Sequence, residues 1–178
     1  MNPIKHLDWF GSVLLPIIMI ATNIGFVFGW AKPVPINPYA LRRRSSAAPM
    51  LVSLAGPMSN FLMALIAGIF FRVGLVSISD ISAPTGILPT GATFLFMFIR
   101  INLLLMLFNL IPLYPLDGEK VLEYFLPPAG LRVLDSIRPF SPIILMGVFF
   151  LLPMLGFDVL GTVLLPALNA ITGFLIGV

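Results

Sequence analysis

The sequence predicts an all-α polytopic membrane protein, with about five transmembrane helices and a proline-rich extended or re-entrant segment after the first. Three observations predict it. Of 178 residues, 59% are hydrophobic and only 10% are charged, whereas a soluble domain carries about 25% charged residues. Charge-free windows recur at lengths near the roughly 20 residues that cross a hydrocarbon core. No segment alternates apolar and polar residues as the strands of a membrane barrel do. So little charge cannot solvate a globule of this size. That excludes an ordinary cytosolic enzyme, a disordered chain and a nucleic-acid binder with a basic face.

The first window, Phe10 to Gly29, is longer than the apolar core of a signal peptide. No small-residue cleavage site follows it, so it reads as a retained span. The segment Gly29 to Leu41 then carries Pro33, Pro35 and Pro38 among apolar residues. Proline removes backbone donors and blocks a helix, which predicts an extended chain. Two readings stand. The segment dips into the membrane against protein and offers its edge to another extended chain, or it is a surface loop anchored by Trp30 and Tyr39.

The second window is Pro49 to Phe71. Within it, Ala55, Gly56 and Ser59 are small enough for another backbone to approach closely. Pro57 frees a carbonyl, and Asn60 adds an amide for an interhelical hydrogen bond or for a site. Ser77 to Gly91 reads as a loop. A third helix is predicted from about Thr93 to Ile111, which places Arg100 inside an apolar run. A mid-helix charge costs roughly 2.5–3.5 kcal/mol on insertion scales. Arg100 is expected to snorkel, to pair with a loop carboxylate, or to face a catalytic centre. Pro139 to Phe157 and Val159 to Val178 supply the fourth and fifth windows.

Orientation follows from the placement of Lys and Arg. The loop Trp30 to Ala48 carries Lys32, Arg42, Arg43 and Arg44, and the loop Tyr114 to Arg138 carries Lys120, Arg132 and Arg138. Alternating crossings put both on one side. That side is expected to be the cytoplasm, with the N-terminus outside.

The densest polar stretch is Phe108 to Pro127. Asn109 ends a span, Pro112 and Pro115 break the helix, and Asp117-Gly118 opens a new one with Glu119, Lys120 and Glu123 in its first turns. Asp117 fits two roles, an N-cap accepting from free N–H groups or a hard oxygen ligand for a cation such as zinc. The chain has no cysteine and one histidine, His6. Disulfides, thiol catalysis and Cys-based metal sites are excluded. No Gly-x-Ser-x-Gly turn is present, and His6, two residues from Asp8 ahead of the first span, reads as a solvated interfacial side chain.

The pattern Asn109, Pro112, Asp117, Gly118 resembles the third-ligand motif of the site-2 proteases, which are intramembrane zinc metalloproteases. AGPMSN (Ala55 to Asn60) resembles that family's Gly-Pro-x-x-Asn element. The opening NPIKHLDWFGSVLLP and the loop GWAKPVPINP are similar to its short bacterial branch. The resemblance covers residues 1–126, a protease-like membrane core; residues 127–178 form two further helices that are not diagnostic. It implies hydrolysis of peptide bonds in membrane-embedded substrates at a bacterial plasma membrane, with Zn2+ as cofactor. It further implies that Asp117 is a zinc ligand and that Asn109 donates to the substrate backbone or the developing oxyanion. Lys32, Pro33, Val34, Pro35, Ile36 and Asn37 would present an edge to a transmembrane peptide or protein substrate.

One element of the family pattern is missing. No H-E-x-x-H occurs, so two zinc ligands and the general-base glutamate are absent from this sequence. The expectation is a protease-like chain without its first catalytic helix, through truncation, a start assigned downstream, or degeneration. Such a chain is not expected to hold zinc tightly alone, and another chain could supply the missing helix. The alternative is a non-catalytic binding or scaffold protein of the same fold. The lipid bilayer is the expected partner in either case, and nucleic acid is not.

Overall fold

The computed structural model describes residues 17, 45–81, 89–158 and 160–178. All but Ile17 belong to the unit Leu41–Val178. The first window, apart from Ile17, and the proline-rich segment after it lie outside the described residues, as does His6. All regular structure among the described residues is helical. In chain order it comprises α1 (Ala48–Arg72), a 3-10 turn (Ile78–Ile81), α2 (Gly91–Asn109), α3 (Asp117–Phe125) and α4 (Pro128–Ile137). After Arg138–Phe140 come α5 (Ser141–Met146), α6 (Leu152–Met154) and α7 (Leu165–Ile176). π-type turns at Gly147–Leu151 and Leu160–Leu164 precede α6 and α7.

Three helical stretches are long and apolar enough to cross a membrane, Ala48–Arg72, Gly91–Asn109 and Pro128–Met154. This is a membrane protein by that measure. The expected fifth span is a shorter apolar helix, Gly161–Ile176. The fourth starts earlier than its charge-free window, because the amphipathic turns of α4 run on into it. At 1.5 Å per residue the stretch Pro128–Met154 is about 40 Å long, beyond the ~30 Å of hydrocarbon. Its first three turns carry Arg132, Asp135 and Arg138.

Local chemistry sets the helix ends. α1 takes Pro49 in its first turn, where the missing N–H has no partner to lose. It ends at Arg72, with Gly74 at φ 75° beyond it. Among its described residues the predicted loop before α2 contains the 3-10 turn Ile78–Ile81, and α2 begins at Gly91, two residues ahead of the expected Thr93, because Thr90 caps it. The Thr90 Oγ1 accepts from the Thr93 N–H at 3.0 Å.

The core lies where α1, α2 and α7 meet. Ala64, Ile99 and Leu103 have no exposed surface, and Ala67, Phe71, Met106, Leu168, Leu175 and Ile176 join them. Leu51, Met58, Leu62, Ile66 and Ile69 of α1 stay exposed, so the helix is apolar all round, as a lipid-facing helix must be. Lipid removes most of the hydrophobic drive for helices to associate, leaving van der Waals packing and polar ties. Gly68 allows that packing: a Cβ there would stand 3.1 Å from Leu175.

Two arginines tie α7 to the rest. Arg72 donates to the carbonyls of Phe174 and Leu175, with its guanidinium 5.2 Å from the Phe174 ring centroid. Arg100 donates to the Asn169 Oδ1 at 2.8 Å and lies 5.7 Å from the Phe96 ring centroid. The Arg100 partner is thus an amide in another helix, where a loop carboxylate was one expectation. A double-mutant cycle of Arg100→Met and Asn169→Leu, followed by unfolding in detergent, is expected to give about 0.6–1.7 kcal/mol of coupling. Zero coupling would show that the contact adds nothing beyond snorkelling.

Candidate functional site

The breaker Pro112-Leu113-Tyr114-Pro115 turns the chain out of α2 and into α3. Leu116 occupies the N-cap position in extended conformation and makes no side-chain cap bond. Asp117 is the first helical residue. The N-cap role considered for it is therefore not the one it takes. Its carboxylate is half-buried and has no hydrogen-bond partner among the described residues. Burial raises its pKa above the ordinary aspartate value of 3.8, because desolvation disfavours the charged form. A carboxylate in that condition is stabilised by a nearby cation.

Two glycines place this carboxylate. Gly118 packs so tightly against the end of α2 that a Cβ there would meet the Leu110 carbonyl oxygen at 2.2 Å. Gly56 of α1 lies opposite, its virtual Cβ 3.2 Å from the Asp117 Oδ2. The AGPMSN element and the Asp-Gly motif are thus neighbours in space, although 61 residues separate Gly56 from Asp117 in sequence. Around Gly56, Pro57 is fully buried and the Ser59 hydroxyl donates to the Gly56 carbonyl at 2.7 Å. The Asn60 amide makes no hydrogen bond among the described residues, so the interhelical bond expected of it is not present there.

Asn109 stands in the last turn of α2, and its Nδ2 donates to the Leu105 carbonyl at 2.9 Å. This amide follows its own helix back by one turn. A role on substrate would use its remaining N–H or its carbonyl. Along the α1–α3 seam, one turn beyond Asp117, a cavity of about 480 Å³ is lined by Ser46, Pro49, Met50, Lys120, Glu123 and Tyr124, among others. Lys32, Pro33, Val34, Pro35, Ile36 and Asn37 lie outside the described residues.

The residues that sequence reading missed stand beside Asp117. Glu119 is 1% exposed. It is joined by the Arg138 Nε and, at 3.3 Å, by the Lys120 ammonium. Arg138 also reaches Glu123 at 2.6 Å and Asp135 at 2.5 Å. Lys120 and Arg138, counted above as basic loop charges, are held in this network. The spacing of Glu119 and Glu123 along one helix face was visible in sequence, but their partner lies 19 and 15 residues on. Asn102 was passed over as well. It is 6% exposed on the packed face of α2 and donates to the Phe98 carbonyl at 2.8 Å.

A catalytic or structural zinc needs three or four protein ligands. Among the described residues no three His, Cys, Asp or Glu side chains converge on a point. The described residues therefore do not fit a zinc ion by themselves; they provide one carboxylate on a helix N-terminus, set against a glycine of an apolar helix.

This arrangement defines a helical membrane protein with a carboxylate at a helix junction, and comparison narrows the class. Over 170 residues the chain is 36% identical to the protein named "Putative zinc metalloprotease YwhC" of Bacillus subtilis (strain 168). The match covers 96% of this chain and 70% of that protein. The chain belongs to the metalloprotease family of which that protein is a member. No protein-family profile and no solved structure matches it.

Proposed function

We propose that this chain serves zinc-dependent intramembrane proteolysis of the site-2 type, hydrolysing peptide bonds of membrane-embedded substrates. The observation that carries the reading is the half-buried Asp117 carboxylate facing Gly56, which has no partner among the described residues. Membership of a metalloprotease family supports it. In this reading Asp117 is one ligand of a metal set that residues outside this sequence complete. Asn109 donates to the substrate backbone, and Lys32, Pro33, Val34, Pro35, Ile36 and Asn37 bind it. The chain sits in a bacterial plasma membrane with its basic loops in the cytoplasm.

The test is zinc content by elemental analysis after mild purification from native membranes, for the wild-type chain and Asp117→Asn. The wild-type preparation is expected to contain zinc. The variant is expected to retain about tenfold less zinc. Equal and substantial zinc in both would remove Asp117 from the metal site. The single histidine favours one other reading, a non-catalytic protein of the same fold that binds membrane segments. It predicts no zinc in either preparation and unchanged binding of a transmembrane peptide.

A further inference from the structure

The unassigned charges around Arg138 have a geometry that goes beyond a surface network. Each guanidinium nitrogen is given to a different carboxylate, Nε to Glu119, Nη2 to Glu123 and Nη1 to Asp135. Two of the three carboxylates project from α3, and the third comes from the last turns of α4. Planar guanidinium donors are directional, so this set fixes the rotation of α3 about its own axis as well as its distance from Arg138. Rotation is the degree of freedom that matters for Asp117. It sits two residues before Glu119 on the same short helix, which spans nine residues. Gly118 limits how far α3 can slide toward Leu110, and the network stops it from turning.

We propose that Glu119 and Arg138 are positioning residues for Asp117, and that their ion pair holds the carboxylate against Gly56. The proposal deepens the reading of Asp117 as a metal ligand and rests on it for its meaning, but the geometry can be tested with no metal present. The chain contains no cysteine, so introduced pairs are unambiguous. Gly56→Cys with Asp117→Cys reports the α1–α3 register, since the Asp117 Oδ2 stands 3.2 Å from where a Gly56 Cβ would be and the cross-linking rate of the pair depends on how closely the two helices approach. Gly68→Cys with Leu175→Cys reports the core, where Cβ positions are 3.1 Å apart.

Both pairs are oxidised in the full chain in detergent micelles, and the rate of disulfide formation is read by mass spectrometry. Glu119→Gln, Arg138→Gln and the double substitution are each expected to slow the 56–117 pair about tenfold, with the double no slower than either single. The 68–175 pair is expected to keep its rate in all three. Asp135→Asn, at the exposed end of the network, is expected to leave both rates within about twofold. If both pairs slow together, the network is a general stabiliser and the proposal falls. It falls equally if neither slows, or if the two singles add in the double. Failure of the zinc reading would appear in the metal analysis of Asp117→Asn and would leave these rates untouched.

Discussion

Replacing Gly118 by alanine is expected to destabilise the protein by about 2–3 kcal/mol, measured by unfolding in detergent micelles. A methyl group at 118 would stand 2.2 Å from the Leu110 carbonyl oxygen, 2.4 Å from its carbon and 2.6 Å from the Ile111 oxygen. All three are backbone atoms, so no rotamer change relieves the overlap. α3 must move, and Asp117 moves with it. In a helix without neighbours the same change would stabilise, by about 0.5–1 kcal/mol, because alanine loses less entropy than glycine. Gly147 supplies that control: it lies in a helical segment and a Cβ there meets nothing within 4 Å. Gly147→Ala is therefore expected to be neutral or stabilising. A Gly118→Ala variant as stable as its parent would mean that the turn between α2 and α3 is soft, and that Asp117 is placed by other contacts.

The sequence showed the apolar helices because length and absence of charge are one-dimensional properties. Pro49 to Phe71 as a charge-free window became Ala48–Arg72, and the helix expected from Thr93 to Ile111 became Gly91–Asn109. The start of α3 at Asp117-Gly118 was legible for a related reason, since Pro112 and Pro115 cannot continue a helix. The start of the fourth span was not legible. Charges in α4 suggested a loop, but Glu119 and Glu123 neutralise Arg138 from a different helix. Pairing between distant residues leaves no periodic trace. The same limit applied to Arg100, whose partner Asn169 lies 69 residues away. For the site, the motif named Asp117 and the element named Gly56, while the approach of the Asp117 carboxylate to Gly56 had to come from the fold.

Arg138→Met is expected to cost about 3 kcal/mol of stability, and the loss is expected to change little with added salt. The reason is asymmetric. The arginine itself is partly open to solvent, its side chain 28% exposed, but Glu119 is 1% exposed and cannot recover its hydration when its partner goes. Breaking a buried pair from one side leaves an uncompensated charge, and that charge dominates the cost. Lys120 is close by at 3.3 Å, yet it is also engaged with Glu123 at 2.8 Å, so its ammonium is shared and does not replace the guanidinium at Glu119. Arg132 gives the comparison within the same segment. It is exposed and makes no ion pair among the described residues, so Arg132→Met is expected to stay within about 0.5 kcal/mol of wild type. The contrast separates an exposed arginine from one that holds a helix. If Arg138→Met were as mild as Arg132→Met, the Glu119 carboxylate would have to be solvated in the folded protein. The helix that carries Asp117 would then lack the anchor the geometry gives it.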